Sequence, residues 1–243
     1  MHEAQLHKRN CVVTLTYDPE HVPADGSLHY RHFQLFMKKL RKRHGKVRFF
    51  VCGEYGDKDW RPHFHACLFG YRPGDLRPWS KSRSGSQLFR SPELESLWPA
   101  GHSLVGELDF ESAAYIARYI MKKVTGDAAE SHYNRINFET GELLSLEPEF
   151  IHMSLRPGIG AEWFSKFHTD VYPKGMVVSR GHEARPPKFY DRRFAKLDPD
   201  GYAQLQLARE TFAADHVADS MPERLAARAV VTAARVSLHK RTL

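Results

Sequence analysis

Two histidines, His63 and His65, stand one residue apart inside an apolar run, and a carboxylate, Glu54, precedes them across a short turn. Imidazole nitrogens and a carboxylate oxygen are metal ligands, and such a set with open positions suits Mg²⁺ or Mn²⁺ without excluding Zn²⁺. A bound ion of this kind polarises a phosphodiester and spreads the charge that develops during attack. Farther along, Tyr115, Tyr119 and Lys122 recur at i, i+4 and i+7, which is one side of a helix. A phenol is a nucleophile only when something lowers its pKa from about 10 or takes its proton. The tyrosines therefore need a metal or a base, and the histidine pair is the place to look for one. With 15 His in 243 residues, roughly one His-x-His pair arises by chance. Placement carries the signal: the pair lies within an apolar strand, just after a carboxylate.

The elements that would position these groups can be read from periodicity. Residues 62–69, Pro-His-Phe-His-Ala-Cys-Leu-Phe, read as a strand. Alternation puts His63, His65 and Cys67 on one face and Phe64, Ala66 and Leu68 on the other. Residues 46–54 read as the preceding strand, and the short turn 55–60 implies an antiparallel hairpin that brings Glu54 to the start of the next strand. The tyrosines fall on a helix with Asp109 as N-cap and Gly126 as C-terminal stop. Ala113, Ile116, Ala117, Ile120 and Val124 form its apolar stripe, which places Tyr115 and Tyr119 on a face turned away from the core.

Around these lies an alternation of strands and helices. Residues 11–17 are β-branched and apolar and read as a strand. Residues 30–44 read as an amphipathic helix, with Phe33, Phe36, Met37 and Leu40 inward and Lys38, Lys39, Arg41, Lys42 and Arg43 outward. That basic face either tracks a phosphate backbone or is simply solvated. Residues 71–92, rich in Ser, Arg, Pro and Gly, read as a mobile basic loop. A short helix is expected at 93–98, a strand at 102–108 and a hairpin over 132–146 turning at Thr140-Gly141. An apolar pair, 169–172 and 176–179, brackets Pro173-Lys174-Gly175. Residues 185–193 are basic with interleaved aromatics, Arg185 and Lys188 among them. The alanine-rich tail 199–240 is helical by propensity, with Pro222 at the first position of its last helix.

Composition bounds the class. Hydrophobic content of 42% is that of a globular chain. A net charge of +7 favours a polyanionic partner, nucleic acid more than membrane. Three scattered cysteines with no C-x-x-C argue against a disulfide framework and a zinc ribbon, and suit a reducing compartment. No apolar run of about 18 residues or signal peptide is present, so a cytoplasmic protein is expected.

Thr14-Leu15-Thr16-Tyr17, Gly53-Glu54-Tyr55-Gly56 with Arg61-Pro62-His63-Phe64-His65, and Tyr115-x-x-x-Tyr119-x-x-Lys122 resemble, in order, the three motifs of HUH endonucleases. Leu97-Trp98-Pro99, Arg156-Pro157-Gly158-Ile159-Gly160, Asp170-Val171-Tyr172-Pro173 and Arg185-Pro186-Pro187 extend the likeness to the replication initiators of gokushovirus-like microviruses, small single-stranded DNA bacteriophages. Members of that branch usually carry a further cysteine-containing N-terminal stretch ahead of the point where this sequence starts.

The resemblance implies an α+β fold: an antiparallel sheet of ferredoxin-like or RNA-recognition-like type with flanking helices. It implies a nicking and strand-transfer domain over 1–195, followed by a helical C-terminal extension over 196–243. It implies His63, His65 and Glu54 as ligands of Mg²⁺ or Mn²⁺, a tyrosine attacking a phosphodiester of single-stranded viral origin DNA, and a 5′-phosphotyrosine link. Lys122 would offset phosphate charge or hold a phenolate. DNA contacts are expected from Lys38, Lys39, Arg41, Lys42, Arg43, Arg185 and Lys188. Host replication proteins are expected partners, in the host bacterial cytoplasm. Rival readings are a relaxase or transposase of the same superfamily and a non-catalytic single-stranded nucleic-acid-binding protein. A zinc hydrolase would want a third histidine or a His-x-x-Glu-type partner, which the sequence does not offer.

Overall fold

The computed structural model describes residues 1–243 apart from 57–58, 83, 119–122, 137–140 and 239–243. The chain forms two compact units, Met1–Ile159 and Gly160–Arg241. This division is one of compactness, and it falls before the 195/196 boundary expected from the motifs.

The first unit is built on a seven-stranded sheet, antiparallel at every pairing. Its strands in chain order are β1 (Asn10–Tyr17), β2 (Arg48–Tyr55), β3 (Pro62–Phe69), β4 (Arg77–Lys81), β5 (Gln87–Arg90), β6 (Gly101–Gly106) and a later strand, Phe150–Met153. Their order across the sheet is β4-β5-β6-β1-β3-β2, with Phe150–Met153 beside β2. The expected α+β class is thus observed. Helix α1 (His2–Gln5) opens the chain, α2 (Tyr30–His44) follows β1, and α3 (Pro92–Leu97) precedes β6. Helix α4 (Phe110–Arg118) follows β6, and α5 (Ala128–Tyr133) comes next. A separate hairpin pairs β7 (Asn134–Ile136) with β8 (Leu143–Ser145), as expected for 132–146; its turn lies outside the described residues. In chain order the strand Phe150–Met153 is β9.

The sheet has a core on each face because its strands alternate. Cys11, Val13, Leu15 and Tyr17 of β1 and Phe64, Ala66 and Leu68 of β3 face α2, whose Phe33, Phe36, Met37 and Leu40 are all buried against them. Each such side chain contributes about 1.5–3 kcal/mol on burial, so this face carries most of the unit's hydrophobic stabilisation. The opposite face holds a smaller cluster, Ala4, Val12, Cys52, Cys67, Phe69 and Ile116, under α1 and α4. The buried carboxylate of Glu3 in α1 accepts a 2.5 Å bond from Nε of Arg48 in β2. A second nitrogen of that guanidinium reaches the Pro157 carbonyl at 2.8 Å. Gly101 begins β6 at φ 145°, and a Cβ there would stand 2.3 Å from the Asp18 nitrogen and 2.4 Å from the Thr16 carbonyl oxygen. Only glycine lets β6 pass β1 this closely.

Three expectations are corrected. The segment 71–92 is not a loop throughout: β4 and β5 form a hairpin that continues the sheet from β6, bulged between Pro78 and Ser80. Its pairing is made by backbone groups, so polar, proline-bearing side chains did not betray it. The strand β9 was missed because Ile151 and Phe150 serve opposite faces and leave no alternation. Residues 169–171 end a helix rather than form a strand.

That helix, α6 (Ala161–Val171), opens the second unit, followed by the hairpin of β10 (Val177–Ser179) and β11 (His182–Ala184). Then come α7 (Lys188–Leu197), α8 (Pro199–Asp215), a 3₁₀ turn at Val217–Ser220 and α9 (Pro222–Leu238), with Pro222 at its first position as expected. Its core is Phe164, Val171, Tyr172, Tyr190, Phe194 and Leu205. The aromatics interleaved with basic residues near 185–193 are therefore partly core: Tyr190 and Phe194 recur at i, i+4 on the buried side of α7.

Candidate metal centre

The β2–β3 hairpin builds the site. Glu54 and His63 are directly paired across the strands, and Cys52 is paired with His65. Cross-strand partners share a face, so Glu54, His63 and His65 project together, on the side opposite α2. One ligand atom from each lies within 4.8 Å of the others. Both imidazoles converge on a single oxygen: Oε1 of Glu54 is 2.7 Å from Nε2 of His63 and 3.1 Å from Nε2 of His65. The turn helps to aim them. Trp60 adopts φ 52°, and its ring packs near Tyr55.

The far nitrogens of both rings are engaged. Nδ1 of His63 is 3.0 Å from the Arg61 carbonyl oxygen. A carbonyl only accepts, so Nδ1 carries the proton, and in the neutral ring Nε2 turns its lone pair toward Glu54. Nδ1 of His65 is bonded to Oγ1 of Thr14, on the adjacent strand β1, at 2.9 Å. Outward Nδ1 bonds of this kind fix ring orientation in metal sites. Two lone pairs facing each other at 2.7 Å require positive charge upon or between them, supplied by a proton on the imidazole or by a cation. Burial opposes the charged carboxylate of Glu54, yet the hydrogen bonds and charge of His63 and His65 outweigh it and hold its pKa at about 2. The donor set, two imidazoles and one ionised carboxylate, fits a divalent cation.

Tyr115 stands beside this centre. Its ring meets that of His65 edge-on, with centroids 6.0 Å apart and planes at 90°. Helix α4 is anchored by a reciprocal cap: Asp109 Oδ1 accepts from the Ser112 N–H at 2.7 Å, and Ser112 Oγ accepts from the Asp109 N–H at 3.0 Å. The N-cap expectation is met. The expected facing of the helix is corrected. Ser112 and Ile116 are buried, Ala113 and Tyr115 flank them half-buried, and Ala117 is exposed. At 100° per residue, Ser112 and Ile116 lie only about 40° apart, with Tyr115 to one side. The helix is rolled so that Tyr115 borders the packed face, because the sheet beneath it offers Cys52, Cys67 and Val12 to Ile116. Tyr119 and Lys122 lie outside the described residues.

The other expected site residues fall elsewhere. Lys38, Lys39, Arg41, Lys42 and Arg43 lie on α2, across the sheet from the histidines, and are exposed. Arg41 donates to the Val47 carbonyl at 2.9 Å and Arg43 approaches Glu93 at 3.8 Å, so both also serve the fold. Arg185 and Lys188 are exposed in the second unit. Cys67 shares the histidine face but is buried, its thiol pushed up to about 12 by desolvation, as befits a packing residue. The sequence reading gave Thr14 no role; the signal was its place in the first quoted motif.

Residues 10–124, which contain every element of this centre, match the family model for the ORF2-type replication-associated protein. This segment belongs to that family. Relatives of the matched segment and its flanks are phage replication-associated proteins. Replication-associated protein VP4 of Bdellovibrio phage phiMH2K is 30% identical over 214 residues, covering 84% of this chain and 63% of the relative. Replication-associated protein ORF2 of Spiroplasma virus 4 is 31% identical over 202 residues, 78% of this chain and 59% of the relative. Replication-associated protein ORF4 of Chlamydia phage 1 is 35% identical over 164 residues, 62% of this chain and 41% of the relative. The chain thus spans about three fifths of the length of the first two relatives. No solved structure matches it. Among the described residues, no helix is long and apolar enough to cross a membrane.

Proposed function

We propose that this protein initiates phage DNA replication by nicking a single-stranded origin with a tyrosine and later rejoining the strand. The observation that carries this reading is the proximity of Tyr115 to a buried triad of Glu54, His63 and His65. A phenol beside two imidazoles and a carboxylate has no packing role that needs all four. Glu54, His63 and His65 would hold Mg²⁺ or Mn²⁺, which when bound supplies Lewis-acid stabilisation of the phosphodiester under attack.

The chain's own groups then divide the work. The Tyr115 oxygen attacks phosphorus, the bond from phosphorus to the 3′ oxygen breaks, and the phenolic proton leaves as the 3′ oxygen gains one. The products are a 5′-phosphotyrosine ester and a free 3′-hydroxyl. The ester conserves the cleaved bond, so the 3′-hydroxyl of a completed strand can reverse the step and close the circle. Tyr119 is proposed as the second nucleophile and Lys122 as the counter-charge, both from the sequence motif. The basic face of α2 lies across the sheet from the centre, so Lys38, Lys39 and Lys42 would hold flanking DNA rather than the scissile phosphate. Arg185 and Lys188 are assigned the same kind of contact.

The test is an adduct assay. With Mn²⁺ and an origin-bearing single-stranded oligonucleotide, the protein should form a denaturation-resistant conjugate that EDTA abolishes. Mass spectrometry should locate it on Tyr115 or Tyr119. Tyr115→Phe with Tyr119→Phe should remove it, while either single change leaves some cleavage. A conjugate that persists in the double variant overturns the assignment. Binding without cleavage by the unmodified protein would favour the non-catalytic reading instead.

A further inference from the structure

The second unit contains a cleft that plays no part in the chemistry above. It has a volume of about 980 Å³ and lies between α6 and α7, with Tyr202 of α8 on its wall. This is the size of a small-molecule site. Three cations line it, Arg192, Arg193 and Lys196, together with His168 and the rings of Phe164 and Phe189. No Asp or Glu is among the lining residues.

Arg193 is the centre of the argument. Its guanidinium carbon lies 5.5 Å from the Phe164 ring centroid and 5.7 Å from that of Phe189. A guanidinium held between two rings keeps its charge without a carboxylate. Nε of Arg193 and Nδ1 of His168 are both buried and have no hydrogen-bond partner among the described residues. Buried polar atoms without partners are few in native proteins, and each calls for an explanation such as a bound group. Here two occur in the wall of one cleft. By contrast, Arg209 of the same unit is satisfied by Asp191 at 2.8 Å. The deficit is local to the cleft.

We infer that this cleft binds a nucleotide, its phosphate drawn by Arg192, Arg193 and Lys196 and its base lying against the aromatic wall. Cations without acids select an anion. Aromatic rings beside them select an anion that carries a flat, apolar-faced ring. The same chemistry is offered by one residue of a DNA strand and by a free nucleotide. The inference does not depend on the nicking reading, since none of its residues belongs to the metal centre.

The experiment uses the full chain in EDTA with His63→Ala, so that the metal centre contributes nothing. Calorimetric titration with thymidine 5′-monophosphate should give tighter binding than thymidine or inorganic phosphate alone. Arg193→Gln should weaken it about tenfold. Lys196→Glu, at an exposed position that the fold does not need, should weaken it as well, which keeps the test valid if the Arg193 variant fails to fold. Competition then identifies the source: displacement by (dT)₆ but not by thymidine triphosphate supports a DNA residue, and the reverse supports a free nucleotide. No binding at millimolar monophosphate, equal binding of phosphate and monophosphate, or indifference to Lys196→Glu would overturn the inference.

Discussion

Removing one imidazole from the candidate centre should erase metal-dependent stabilisation of the fold, and the size of the effect can be worked out. A cation that binds only the folded chain stabilises it by RT ln(1 + [M]/Kd), about 2.7 kcal/mol at a hundred times Kd. For a domain of 150–250 residues each kcal/mol moves Tm by about 2–4 °C, so Mn²⁺ at that level should raise Tm by roughly 5–11 °C. Its three ligands are Glu54, His63 and His65. If losing one weakens binding a hundredfold, the same Mn²⁺ concentration sits at the new Kd and gives only RT ln 2, about 0.4 kcal/mol or 1–2 °C. Thr14→Val is the finer probe. It keeps shape but deletes the 2.9 Å bond that orients His65. Loss of such an orienting partner typically weakens metal affinity 10–100-fold, and at tenfold the shift should fall to about 3–6 °C. Thermal melts of the full chain with Mn²⁺ and with EDTA measure all of this. Equal shifts in the unmodified protein, His63→Ala and His65→Ala would refute the reasoning, because the ion would then be binding elsewhere.

Other outcomes follow from particular contacts. Glu3→Ala strands the Arg48 guanidinium, whose side chain is 4% exposed, and should destabilise the first unit by about 3–5 kcal/mol in chemical unfolding; Glu3→Met with Arg48→Leu should recover much of that loss. Gly101→Ala forces a Cβ to within 2.3–2.7 Å of β1 backbone atoms at a φ that side chains avoid, and should destabilise by on the order of 3 kcal/mol or prevent folding. His63→Ala should reduce cleavage yet leave salt-sensitive DNA binding intact in filter assays, because that binding is assigned to Lys and Arg; equal loss of both would make the histidine structural.

The parts of the fold legible in the sequence are those where one face is buried and the other is not. Helix α2 and strand β3 have the expected bounds, because Phe33, Phe36, Met37 and Leu40 mark a 3.6-residue period and Phe64, Ala66 and Leu68 a period of two. The triad was legible for the same reason, since alternation plus a short turn fixes which side chains meet. Where both sides are covered, or neither is, the pattern fails. Strand β9 packs on both faces, and β4 is exposed along its whole length. The roll of α4 was not legible either: Ala113 and Ala117 are equally apolar, and only the shape of the sheet beneath decides which is buried. Thr14 shows a further limit, for a hydroxyl that orients a ring across two strands looks like any strand threonine until the pairing is known.

The wiring of the β2–β3 hairpin makes the centre a gauge of its own alignment. Every ligand comes from two neighbouring strands, and the pleat repeats every two residues. A slip of one residue in β3 would turn both imidazoles toward Phe33 and the other rings of the α2 core, and would bring Phe64 out under α4. Misregistered chains would therefore lose the cation site and the main core together. A chain able to bind the ion has its strands in step, so ion binding reports correct folding of the sheet before any DNA arrives.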